Sequence, residues 1–120
     1  MKSILVTVAI ALLLLAPAPS SAKHEDSQSK AVTAALTSAI RPAHRAKCYW
    51  AAEELVCTLT TTGKGPRALH LLQGEAYGVA EGMRDLGFDY SVFAVTEGVP
   101  LARFIYKAEF DILTPIIMWR

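Results

Sequence analysis

The sequence predicts a small exported α+β domain in two layers: an N-terminal helix, a strand or hairpin, a long amphipathic helix, and a C-terminal antiparallel hairpin packed on that helix. Three observations carry the prediction. The chain opens on an apolar run closed by small residues, residues 69–86 hold an apolar stripe at spacings of three and four, and two segments rich in β-branched and aromatic residues follow it.

Lys2 supplies a positive start, Ile4 to Leu15 carry no charge, and Pro17-Ala18-Pro19-Ser20-Ser21-Ala22 interrupts the run before Lys23-His24-Glu25-Asp26. This is the three-part pattern of a cleavable secretory signal peptide, residues 1–22, with small residues placed for a cut after Ala22. The run is shorter than the roughly 20 apolar residues that cross a bilayer, and no later segment is long enough either, so no integral membrane span is expected after cleavage. The expected location is exported, periplasmic or secreted.

Removing Lys2 from the 12 Lys+Arg leaves 11 against 11 Asp+Glu, a formal charge of zero. Nucleic acid and anionic membranes attract proteins through excess positive charge, so neither is an expected partner. Residues 23–30 read as a loose polar segment, and residues 31–120 as a single small domain with little core to spare.

From Asp26 or Ser27, either able to cap a helix, the chain runs through Val32, Leu36, Ala39 and Ile40 with one apolar stripe. Pro42 ends that helix at or before Arg41. Arg41, His44, Arg45 and Lys47 then form a basic knot, read as a solvated connection. Residues 55–61 favour a strand and 47–51 a weaker one, with a turn at Ala52-Glu53 that lacks the usual Gly or Asn. Leu69, Leu72, Ala76, Val79, Met83 and Leu86 then lie on one side of a helix of about 20 residues, opened by Pro66 and stopped by Gly87. Tyr90 to Thr96 and Leu101 to Phe110 read as strands joined by Glu97-Gly98-Val99-Pro100.

Cys48 and Cys57 are an even pair in an exported small domain, which favours a disulfide. Their spacing is neither that of a zinc ligand pair nor the redox Cys-x-x-Cys, so no metal site is expected. Gly63-x-Gly65-x-x-Ala68, with Glu97 after the next strand, has the nominal parts of a dinucleotide fingerprint. The domain is too short for two mononucleotide halves, and no cofactor is expected. A weaker version keeps Gly63, Lys64, Gly65 and Arg67 as an anion site at a helix N-terminus. Position 58 is Thr and position 65 is Gly, which excludes a P-loop.

Gly74, Gly78 and Gly82 recur every fourth residue inside the long helix. Each costs about 0.8–1 kcal/mol relative to Ala, so the strip points to close approach by another backbone, either the first helix or a partner. Ile116, Ile117, Met118 and Trp119 form an apolar chain end that is expected to pack on the domain or dock to a partner. The histidines His24, His44 and His70 have no metal-ligand or triad spacing, so no catalytic residue is assigned. Three function classes follow from these features. The first is a non-catalytic binding, inhibitory or adaptor domain acting through a protein surface, with another exported or envelope protein as its partner. The second is a small hydrolase-like enzyme using His70 or His44 with a carboxylate. The third is a component of a cell-envelope assembly.

Overall fold

The computed structural model describes residues 23–119, and the expected signal peptide lies outside the described residues. Lys23–His24 is not loose: it forms β1, paired antiparallel with Trp50 and Ala51. Asp26 then caps α1 (Ser27–Ala39) by accepting from the Ser29 N–H at 2.8 Å, while the buried Ser29 hydroxyl accepts from the Asp26 N–H at 2.9 Å. The Ser29 N–H bond is the main reason that the Asp26 carboxyl lies below its ordinary pKa, and the Trp50 indole N–H adds to it. Within the segment read as loose and polar, 23–30, this reciprocal cap gives the polar residues backbone partners.

α1 ends at Ile40, before Pro42, and the chain turns into β2 (His44–Ala51) and β3 (Glu54–Thr61). These form an antiparallel hairpin in which Cys48 sits opposite Cys57, and the two are joined by a disulfide. The connecting Ala52 adopts φ 58°, a left-handed conformation that costs an L-residue roughly 1 kcal/mol. Ala52→Gly is accordingly expected to raise the melting temperature by a few degrees in a thermal scan. The Cys48 N–H donates to Thr33 Oγ1 of α1 at 2.8 Å, so the helix satisfies a donor on this strand.

Gly65, at φ 87°, leads into α2 (Pro66–Gly82), which is followed by a 3-10 turn over Met83–Leu86 and a stop at Gly87 with φ 81°. The helix is a crossover: it returns the chain to β4 (Tyr90–Thr96), which lies parallel to β3. β5 (Val99–Lys107) pairs antiparallel with β4, and β6 (Ile112–Ile117) pairs antiparallel with β5. The predicted architecture is thus corrected. The molecule is a six-stranded mixed sheet in the order β1 to β6 with two helices, and its C-terminal part is a three-stranded meander rather than a hairpin closing on one long helix.

Alternation sets the two faces of the sheet. Leu55, Cys57 and Leu59 of β3, Tyr90, Val92 and Ala94 of β4, and Ala102, Phe104 and Tyr106 of β5 form the core with residues of both helices. α1 supplies Leu36 and Ile40; α2 supplies Leu72, Ala76 and Val79. Leu86, expected on the buried stripe, is instead exposed, because the change from α-helix to 3-10 turn after Gly82 rotates it off that row. At the same end, Arg84 reaches Glu81 and Asp111, and the Tyr106 hydroxyl donates to Asp111 at 2.7 Å, fastening the helix to the β5–β6 turn.

β6 is an edge strand containing Pro115. The neighbouring Met118 N–H donates to Leu101 O at 2.8 Å, so by alternation Pro115 is a residue whose backbone groups point away from β5. Its missing N–H therefore costs the sheet no hydrogen bond.

Candidate functional site

α1 and α2 run antiparallel above the same sheet face without packing closely on each other. Between them lies an apolar groove of about 490 Å³. Val32, Ala35 and Ala39 line it from α1; Gly74, Gly78 and Gly82 line it from α2. A Cβ built at any of the three glycines meets nothing within 4 Å. Sequence reasoning offered the first helix or a partner as the body approaching the glycine strip. The first helix is the opposite wall of the groove and does not fill it.

Glu75 also lines the groove, toward the C-terminal end of α1. Its Oε1 accepts from the Arg41 N–H at 2.9 Å and lies 2.7 Å from Nδ1 of His44. His44 is therefore not part of a solvated connection; only 5% of it is exposed. Its place on β2 alternates with exposed Arg45 and Lys47, so the ring faces the helices while its basic neighbours face outward. A histidine and a carboxylate are brought together as the hydrolase reading required. Among the described residues, however, no hydroxyl or thiol is hydrogen-bonded to that ring. The Glu75 contact could not be read from spacing, since 31 residues separate the pair.

His24 lies in β1, and His70 lies exposed on α2 with its ring 4.7 Å from that of Trp119. On the sheet face away from the helices, the fully buried Ser91 hydroxyl donates to Glu54 at 2.7 Å and accepts from Arg103 at 3.2 Å. Sequence reasoning singled out none of these three, because they come from three different strands.

The glycine loop before α2 has a local explanation. A Cβ on Gly63 would lie 3.0 Å from the Cβ of Ala68, and Gly65 needs its positive φ. The Gly63 N–H is already given to Thr61 Oγ1 at 3.0 Å. Glu97 shares the small hollow of about 210 Å³ with Lys64, placing a carboxylate where an anion was expected. Gly63, Lys64 and Gly65 thus line one hollow, which Arg67 does not, and the Gly63 N–H is already used within the loop.

The chain end is integrated into the domain. Ile116 and Ile117 lie in β6, Met118 bonds to Leu101, and Trp119 is half-buried with its carbonyl accepting from Gln73 at 3.1 Å. Ile116, Ile117 and Met118 keep exposed side chains at the sheet edge. Deleting residues 115–120 is expected to lower stability by about 1–2 kcal/mol, read as a drop in the melting temperature of the purified monomer. Unchanged melting would mean that the tail is held elsewhere.

Among the described residues no helix is long and apolar enough to cross a membrane. No protein-family model matches the chain, and no curated protein matches it. Among solved structures the chain is similar to the C-terminal domain of the sex pheromone staph-cAM373 precursor from Staphylococcus aureus, with a TM-score of 0.47 and 14% identity. The match covers 82% of this chain and 34% of that chain, so the present chain spans about a third of its length.

Proposed function

We propose that the mature chain is a small exported, non-catalytic binding module whose working surface is the groove between α1 and α2. The glycine strip carries this reading. Three glycines together cost a helix about 2–3 kcal/mol relative to alanine, and such a cost is usually offset where small size lets something come close. Nothing among the described residues comes close to these three. The apolar start of the sequence and the Cys48–Cys57 bridge support export, since disulfides persist in oxidising compartments.

The test separates stability from function. Gly78→Ala has room for its methyl group and is expected to stabilise the purified domain by up to about 1 kcal/mol in urea melts. Gly78→Leu, which fills the groove, is expected to fold and to lose whatever the wild-type module retains when recovered, after photocrosslinking at residue 82, from its native envelope or medium. Recovery of the same bound material by wild type and Gly78→Leu would remove the groove as the working surface.

A further inference from the structure

We propose that Glu75 is the positioning residue of the groove, a carboxylate that clamps the turn between α1 and β2 to α2 and so sets how far α1 stands from the glycine strip. This rests on the reading of the groove as the working surface and names the side chain that gives it its width.

The lining argues first. Glu75 is the one polar side chain among the groove residues; the others are Ala, Val, Leu, Ile, Met and Gly. A carboxylate against an apolar wall, its side chain only 19% exposed, gives up part of its hydration, and donors must meet it to offset that cost. Two donors meet the same oxygen, Oε1: the Arg41 N–H at 2.9 Å and Nδ1 of the buried His44 ring at 2.7 Å. A carboxylate oxygen only accepts, so Nδ1 carries the proton of this contact.

The two donors stand at opposite ends of one turn. Pro42 occupies its second position, where the fixed φ suits it, and the His44 N–H closes it on the Arg41 carbonyl at 2.9 Å. The Ala43 carbonyl accepts from the Thr62 N–H at 3.0 Å, which fastens the same turn to the chain leaving β3. Glu75 therefore grips the first and last residues of a turn that is already closed on itself and tied to the sheet. The end of α1 is held to α2 through that grip.

Elsewhere the two walls are not tied to each other. Among the described residues no side-chain hydrogen bond or ion pair joins α1 to α2. The glycines also give α2 no side chain to interlock with α1. Burial of Leu36 and Ile40 against the sheet is non-directional, whereas the two bonds to Oε1 fix both a length and an angle.

The experiment uses the oxidised mature chain with spin labels at Ser38 and Leu71, exposed positions on α1 and α2 outside the lining. Glu75→Ala is expected to shift and broaden the distance between the labels, and to speed hydrogen exchange of the Arg41 amide by about tenfold or more. Glu75→Gln keeps an oxygen acceptor of the same reach and is expected to hold both readouts near wild type. Tyr106→Phe, which loses the bond to Asp111, is the control for general weakening: its melting temperature is expected to fall with the label distance unchanged. In the unlabelled wild type, nitrogen–proton correlation spectra of the His44 ring are expected to show the proton on Nδ1.

An unchanged distance in Glu75→Ala, an equal shift in Tyr106→Phe, or a wild-type His44 without a proton on Nδ1 overturns the proposal. These readouts are taken on the purified chain with nothing bound, so their failure leaves the binding-module reading standing. That reading falls on its own test, if Gly78→Leu still recovers the material that the wild type does.

Discussion

Leu72→Ala is expected to destabilise the domain by about 3–5 kcal/mol and to lower its melting temperature by more than 10 °C, measured by urea and thermal unfolding. Leu72 has no exposed surface and lies on the α2 row with Ala76 and Val79, facing the strand residues of the core. The removed carbons leave a void that β3, β4 and β5 cannot close, since their hydrogen-bonded register fixes their spacing. A small domain holds about 5–15 kcal/mol in all, so this one change removes a large share. His70→Ala, two residues away, is the control. His70 is exposed, and its contact is the Trp119 ring, so the expected cost is about 0.5–1 kcal/mol. Equal losses from the two variants would place the core on the wrong face of α2.

The second large effect belongs to the cross-strand bridge. Replacing both Cys48 and Cys57 with Ala is expected to cost about 2–3 kcal/mol, because the cross-link closes a short loop and restricts the unfolded chain. The two residues are 1% and 0% exposed, within the core between α1 and the sheet. A thiol reagent must therefore wait for the domain to open. Intact mass should show two protons gained only after reduction under denaturing conditions, and alkylation of the native, unreduced protein should label neither cysteine. Free labelling of both would show that the bridge is absent.

The sequence made some elements legible and hid others for identifiable reasons. α2 could be read from the three-and-four spacing of its apolar residues, and β3 and β4 from their β-branched and aromatic content. β2 was legible only as a weak strand over 47–51, because its first residues lie in the basic stretch read as a solvated connection. β6 was hidden by Pro115, a residue that ordinarily argues against a strand, and by a turn whose left-handed residue is Asp111 rather than Gly. The parallel β3–β4 pairing is a long-range choice, since a local pattern shows that a strand exists but not which neighbour it takes. Residues 23–30 read as loose because the cap that holds Asp26 and Ser29 is made by polar side chains rather than by apolar contacts. One wall of the groove was legible in the spacing of Gly74, Gly78 and Gly82. The other was not, because Val32, Ala35 and Ala39 resemble any weakly amphipathic helix until the topology sets α1 beside α2.

Pro115 bears on the protein's behaviour at high concentration. Sheets recruit copies of themselves by offering an unpaired row of donors and acceptors, and the middle of β6 offers a carbonyl with no donor beside it. At the other edge β1 covers the end of β2, and Thr33 takes the Cys48 N–H. The folded chain thus presents two poor templates, although its C-terminal segment is among its most apolar. Fibre growth is therefore expected to begin from unfolded chains rather than from native ones, so seeding with folded protein should not shorten the lag before aggregation.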